Sequence, residues 1–103
     1  MTQPTFSEGP PVPLMVEGTI DSPTLAKMFA EIESHGTLIG IREKAGPGDY
    51  AGTEELTPAL ALDRLQRREA RAVQIRYRHD GFEWTDTVLA MPDGFRVVRC
   101  RHG

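Results

Sequence analysis

The chain has 103 residues, of which 39% are hydrophobic, which suits a single domain with a modest core. No apolar run reaches the length of a membrane span, no basic segment followed by an apolar one opens the chain, and its single cysteine cannot form an internal disulfide. These features argue against a membrane protein and a disulfide scaffold, and they predict a cytoplasmic location.

The first residues differ in composition from the rest of the chain. Segment 1–13 holds four prolines and little apolar periodicity, so we expect a disordered leader there. Residues 14–103 are then expected to form one domain.

The net charge is −3, but the charge is unevenly distributed. Residues 1–62 contain three basic and nine acidic residues, whereas residues 63–103 contain nine arginines, no lysine and six acidic residues. Guanidinium groups present a planar fork of donors that suits carboxylate and phosphate, whereas the ammonium group of lysine is a hydrated point charge. The asymmetry predicts a polarised surface, although a genome that prefers arginine codons would give the same bias.

The first third of the domain predicts one strand and one helix. Residues 14–20 have the pattern of a short edge strand, weakened by a glycine. A helix over 23–35 follows, because Ser22 is a favoured N-cap and proline is tolerated at the first helical position. Gly36 is expected to end this helix as its C′ residue. The helix has one apolar stripe, which we expect to pack on a sheet: Leu25, Met28, Phe29 and Ile32.

A strand, a loop and a second helix are predicted in the middle of the chain. Residues 37–42 indicate a strand that is buried on at least one face. Residues 43–53 indicate a loop, whose Gly-x-Gly spacing lacks the lysine and hydroxyl residues of a phosphate-binding loop. The second helix is predicted over 58–70, with the same cap chemistry at Thr57. Its narrow apolar face consists of Ala61, Leu62 and Leu65. On another face an arginine stripe is predicted: Arg64, Arg67, Arg68 and Arg71.

The last third of the chain predicts a three-stranded antiparallel meander. Asp80 and Gly81 lie between two alternating runs, which is the strongest short-range signal of a hairpin with a type I′ turn. The predicted strands cover 72–79, 82–91 and 95–102. The turn fixes four cross-strand pairs: His79 with Phe82, Tyr77 with Trp84, Ile75 with Asp86, and Val73 with Val88.

The second turn of the meander sets the orientation of its third strand. A three-residue loop over 92–94, closed by a left-handed glycine, places Cys100 and His102 on the same face as Asp86. This is the predicted arrangement. A four-residue loop would instead turn the strand over and bring Arg99 opposite Asp86 as an ion pair.

Alternation gives the meander two unlike faces. The face with most of the aromatic side chains should be covered by the helices. Its predicted members are Val73, Ile75, Tyr77, His79, Phe82, Trp84, Asp86, Val88, Val98, Cys100 and His102. The opposite face is predicted to carry arginine forks and threonine hydroxyls, which suit phosphate, carboxylate or an acidic patch on a partner. These binding candidates are Arg76, Arg78, Arg99, Arg101, Thr85 and Thr87. The simpler interpretation is a solvated sheet face whose arginines cover apolar neighbours.

A second group of candidates lies on the predicted core-facing side: His79, Asp86, Cys100 and His102. These are ligand types of zinc, or a cysteine nucleophile with a histidine base, but they lack the paired spacing of metal motifs. A carboxylate buried at Asp86 would need a donor, and Tyr77, Trp84 or Arg71 could supply one. We therefore expect a structural hydrogen bond at this position.

The predicted fold is α+β: an antiparallel sheet dominated by the C-terminal meander, with two helices packed on one face. As a function we predict a small cytoplasmic, non-catalytic binding or accessory module, which docks on an acidic patch of a protein partner through its arginine-rich face or through its open edge strand. No cofactor and no membrane contact are expected. The alternative is a metal-binding or cysteine-dependent enzyme domain that uses the second group. Single-stranded nucleic acid is a third, weaker candidate ligand, because the chain is acidic and the arginine face lacks aromatic side chains.

Overall fold

The computed structural model describes residues 15–44 and 55–102, which form an α+β fold with one five-stranded antiparallel sheet and two helices. The elements in chain order are β1 (Met15–Ile20), α1 (Ser22–His35), β2 (Thr37–Lys44), α2 (Pro58–Gln66), β3 (Ala72–His79), β4 (Phe82–Met91) and β5 (Gly94–His102). The predicted leader over 1–13 and most of the predicted loop over 43–53 lie outside the described residues. Neither of the two described helices has the length and apolar character needed to cross a bilayer.

The strand order in the sheet is β1-β5-β4-β3-β2, so the meander occupies the centre and the two earliest strands form the edges. β1 pairs with β5 and β2 pairs with β3. Both helices pack on one face of this sheet, as predicted. The core between the two layers consists of Leu25, Phe29, Ile32, Ile41, Ala61, Leu65, Ala70, Val73, Ile75, Tyr77, Val88, Phe95 and Val97.

The first hairpin has the predicted turn and register. Asp80 and Gly81 have φ angles of 56° and 80°, which are the left-handed values that a type I′ turn requires. Tyr77 lies opposite Trp84, and the other three predicted pairs are also present. Local turn chemistry was sufficient to fix this register.

The second hairpin has a different register from the predicted one. Gly94 pairs with Met91 inside the ladder instead of closing a three-residue loop, and Arg99 therefore lies opposite Asp86. Gly94 is needed for another reason, because a Cβ atom there would lie 2.7 Å from the carbonyl oxygen of Ile20 on β1. A glycine that permits close approach of an edge strand was interpreted as a turn glycine, and the predicted three-residue loop is wrong.

Helix α1 has the predicted apolar stripe but different ends. Its N-cap is Asp21 rather than Ser22, and the Asp21 carboxylate accepts a hydrogen bond from the Thr24 backbone N–H at 2.9 Å. This hydrogen bond lowers the pKa of Asp21. Gly36 has an extended φ of −114°, so the helix does not end in a left-handed residue. Glycine is required there because a Cβ atom would lie 2.9 Å from the carbonyl oxygen of Ile32.

Helix α2 is shorter than the predicted span of 58–70. It ends at Gln66, and Arg68 adopts a left-handed φ of 58°. The Arg68 N–H then donates to the Leu65 carbonyl at 3.0 Å, and the Glu69 N–H donates to the Arg64 carbonyl at 2.9 Å, which is a Schellman motif with arginine in the usual glycine position. The predicted arginine stripe is therefore wrong, since three of its four members, Arg67, Arg68 and Arg71, follow the helix.

Candidate functional site

The sheet face turned away from the helices is covered by neither described helix. We call it the open face. Side chains alternate between the faces of a strand, so the buried positions of β3 assign Arg76 and Arg78 to the open face. The β2–β3 register adds Arg42 opposite Gln74 and Lys44 opposite Ala72. These four residues lie along the β2–β3 side of the open face, and we call them the cationic strip: Arg42, Lys44, Arg76 and Arg78.

The structure separates the predicted binding residues into two groups. Arg76, Arg78, Thr85 and Thr87 lie on the open face as predicted. The two β5 arginines do not, because the register of the second hairpin turns that strand over and places Arg99 and Arg101 on the helix-covered face. The positions predicted for them, opposite Thr87 and Thr85, are taken by Val98 and Cys100.

Thr85 is on the open face but is only 9% exposed. Its hydroxyl is hydrogen-bonded to Nε2 of His102 at 2.8 Å, and it sits between Arg76 on β3 and Cys100 on β5. Thr85 therefore supports neighbouring side chains and does not present its hydroxyl to a ligand. Trp84, on the other face, is only half-buried, so the difference between the two faces is smaller at this end of the sheet than predicted.

The cationic strip is only partly neutralised by described carboxylates. Nη2 of Arg76 contacts Oε2 of Glu83 at 2.8 Å, and this hydrogen bond lowers the pKa of Glu83. Within residues 15–44 and 55–102, Arg42, Lys44 and Arg78 form no ion pair. Glu55 is a nearby described carboxylate, since it lines a small cavity with Arg42 and Arg76, but it forms no ion pair with either of them. Three of the four cations therefore have no described ion-pair partner and could receive a carboxylate from outside the described residues.

A cavity of about 450 Å³ lies at one corner of the open face. Leu89, Met91 and Ala72 provide apolar lining, and Lys44 and Arg71 bring two cations to the same cavity. Sequence reasoning missed this site because it depends on the register of β2 against β3. The one available signal in the sequence was the alternation that puts Lys44, which lines the cavity, on the same side of a strand as Arg42 of the cationic strip.

The helix-covered face contains a buried polar network. Asp86 is 0% exposed, and its carboxylate accepts hydrogen bonds from the Tyr77 hydroxyl at 3.0 Å and from Nε and Nη2 of Arg99 at 3.0 and 2.8 Å. Burial, and then the Asp86 charge, raise the pKa of Tyr77. The hydrogen bond to Asp86 raises the pKa of Arg99. Of the candidate donors to Asp86, Tyr77 is confirmed, and the ion pair expected from the alternative register is present.

The four residues proposed for a metal or cysteine-dependent site do not come together. Cys100 and His102 lie on the open face, whereas Asp86 is enclosed on the other face by Tyr77 and Arg99. His79 is on the helix-covered side, where Nδ1 is hydrogen-bonded to the His35 carbonyl at 3.0 Å. Among the described residues, no three His, Cys, Asp or Glu side chains are grouped so that they could hold a metal ion. The prediction that placed these four residues on one face is wrong.

Comparison of the chain with family models, with curated proteins and with solved structures gave no match. Its function is therefore inferred from the geometry and charge of its surfaces.

Proposed function

We propose that this protein is a non-catalytic binding module, which docks an acidic, amphipathic segment of a partner protein on its open face. The observation that carries the proposal is the cationic strip on a sheet face that neither described helix covers, in a chain whose net charge is −3. A cytoplasmic location stays a prediction from the composition.

The charge of the open face favours an acidic partner. Arg42, Lys44 and Arg78 have no described ion-pair partner, and the guanidinium groups among them can bind carboxylates through two parallel hydrogen bonds. The opposite edge is neutralised, because Arg96 pairs with Glu17 on β1. The attraction for an anion is therefore concentrated along the β2–β3 side.

The apolar part of the open face favours an amphipathic segment over a purely acidic one. Leu89 and Met91 line the corner cavity, and Met91 is 38% exposed. Val98 lies next to Thr87 in the same face. Apolar anchors beside charged groups are the usual arrangement at protein interfaces, where the buried anchors supply most of the affinity.

Nucleic acid fits this face less well than protein does. Single-stranded nucleic acids are held by aromatic side chains on which the bases stack. The aromatic residues of the described sheet, Tyr77, Phe82, Trp84 and Phe95, lie on the helix-covered face. The open face thus offers charge without a stacking platform.

A designed peptide tests the proposal. The probe is a synthetic helical peptide with glutamates on one side and leucines on the other, and its counterpart carries lysines in place of the glutamates. We expect the acidic peptide to bind, more weakly as salt is added, and the basic peptide not to bind. The double variant Arg42→Glu/Arg78→Glu should weaken binding of the acidic peptide by about tenfold or more.

The matched control is the double variant Arg67→Glu/Arg101→Glu, which changes the net charge by the same amount. Arg101 is on the helix-covered face and Arg67 is on the turn after α2, so neither belongs to the open face. Equal weakening by the two double variants would show that only net charge matters, and tighter binding of a single-stranded oligonucleotide at the cationic strip would assign the face to nucleic acid. Either result would overturn the proposal.

A further inference from the structure

Two cavities lie between helix α1 and the sheet, on the side opposite to the open face. Their volumes are about 190 Å³ and 360 Å³. Both are lined by Met28 and Glu31 of α1 and by Arg99 of β5. An arginine and a glutamate thus border the same space from opposite layers of the fold.

Arg99 is held in one orientation by a buried carboxylate. Its Nε and Nη2 atoms contact Asp86, which is 0% exposed, while the Arg99 side chain is 38% exposed. Guanidinium has five N–H donors, and within the described residues Asp86 is the only hydrogen-bond acceptor of this side chain. The remaining donors have no acceptor among residues 15–44 and 55–102, so they can receive a carboxylate at the cavities. Burying an ionised pair costs free energy that a well-packed apolar pair would not. A role in holding Arg99 in position for a ligand would account for the presence of the pair.

Glu31 supplies the opposite charge at a separation. It attracts Arg99 electrostatically, yet the two side chains form no salt bridge. A free anion would be attracted by Arg99 but repelled by Glu31, and a free cation would meet the reverse. Lys27 and Glu17, which also line the larger cavity, add one further charge of each sign. A zwitterion with its two charges close together satisfies both side chains.

The remaining lining defines the rest of the ligand. Met28 and Ile32 of α1 line the smaller cavity together with Tyr77, His35 and His79, and the apolar lining of the larger one adds Val97, Ile20 and Val16. Such walls favour an aliphatic group.

We propose that the space between α1 and the sheet that these two cavities form around Met28, Glu31 and Arg99 is a site that binds a free α-amino acid with an aliphatic side chain. Its carboxylate would contact Arg99, its ammonium group would contact Glu31, and its side chain would lie against the apolar walls. The proposal does not depend on docking at the open face, because the two sites are on opposite sides of the sheet.

Calorimetric titration of the full chain with leucine tests this site. Two analogues each lack one charged group: 4-methylpentanoate has no ammonium group and 3-methylbutylamine has no carboxylate. We expect leucine to bind with a Kd of about 1 mM or below, and each analogue to bind at least about tenfold more weakly. Trp84, the only tryptophan, gives a second signal, since its indole N–H donates to the carbonyl of His79 beside the smaller cavity.

A variant pair on α1 adds a test that leaves the core intact. Glu31→Gln should weaken leucine binding by about tenfold, whereas Glu33→Gln, on the same helix but in neither cavity lining, should leave it unchanged. The proposal is overturned if leucine does not bind, if 4-methylpentanoate binds as tightly as leucine, or if the two variants have equal effects. Because the analogues need no mutation, the result does not depend on how Arg99 variants fold.

Discussion

At the scale of single residues, the main feature of the structure is the ion pair between Asp86 and Arg99. A carboxylate in the middle of a strand with apolar neighbours was recognisable from the sequence as a group that needs a donor, and Tyr77 was among the candidates. Arg99 was expected as the partner of Asp86 only in the alternative register, because a change of one residue in the loop decides which face of the sheet it occupies.

The first prediction concerns the removal of this arginine. Arg99→Met leaves the buried Asp86 carboxylate without its ionic partner, and we expect a loss of about 3–5 kcal/mol in the free energy of unfolding measured with urea. Arg96→Met is the control, because Arg96 and Glu17 are both exposed and such pairs contribute about 1 kcal/mol or less. Replacing both members of the buried pair, in Arg99→Met/Asp86→Leu, should recover most of the loss. Equal losses for Arg99→Met and Arg96→Met would contradict this account of the pair.

The second prediction concerns alkaline pH. The pKa of Tyr77 is raised in the folded protein above its ordinary value of 10.0, mainly by burial. Folding therefore favours the protonated phenol, so this stabilisation is complete below pH 10.0 and is lost as the pH rises above it. The free energy of unfolding should fall by up to about 1.4 kcal/mol per pH unit in that range. In Tyr77→Phe the free energy of unfolding should fall less steeply with pH in this range. An equally steep fall would show that Tyr77 is not responsible for the loss of stability.

At the scale of elements, the two turns of the meander show what local sequence can predict. Asp80-Gly81 fixed its hairpin because both residues adopt the left-handed conformation that the turn requires. Gly94 was misinterpreted because its role is set by Ile20, a residue far away in the chain. A glycine reports a steric requirement, but the sequence does not say whether a turn or a neighbouring strand imposes it.

The third prediction concerns the end of helix α2. Arg68 has a left-handed φ, which costs a residue with a Cβ atom about 1–2 kcal/mol, and its guanidinium lies 4.9 Å from the centroid of the Phe95 ring. Both Arg68→Ala and Arg68→Gly remove the contact with Phe95, but only glycine relieves the backbone. We expect the glycine variant to be more stable than the alanine variant by about 1 kcal/mol in thermal unfolding.

Asp63, inside the same helix, provides the control for this comparison. There the order should reverse, with Asp63→Ala more stable than Asp63→Gly by about 1 kcal/mol, because both variants lose the ion pair with Arg67 and alanine is the better residue in a helix interior. The same order at both positions would show that Arg68 is not strained.

At the scale of the whole molecule, the α+β class, the meander and the placement of both helices on one face could be predicted from periodicity and turn chemistry. The cationic strip could be predicted only in half, through Arg76 and Arg78. Its other half comes from β2, which pairs with β3 from a distant part of the chain with a register shift between Leu38 and Gly40. Long-range pairing of this kind leaves little local signal in the sequence.

The central claim is that the open face, and not the helix layer, receives an acidic partner segment. Amide chemical shifts recorded by NMR during titration with the acidic helical peptide test it most directly. We expect the largest changes on β2 and β3 around Arg42, Arg76 and Arg78, with α1 and α2 nearly unaffected. Shift changes concentrated on the two helices, with unchanged amide shifts at Arg42, Arg76 and Arg78, would contradict the claim.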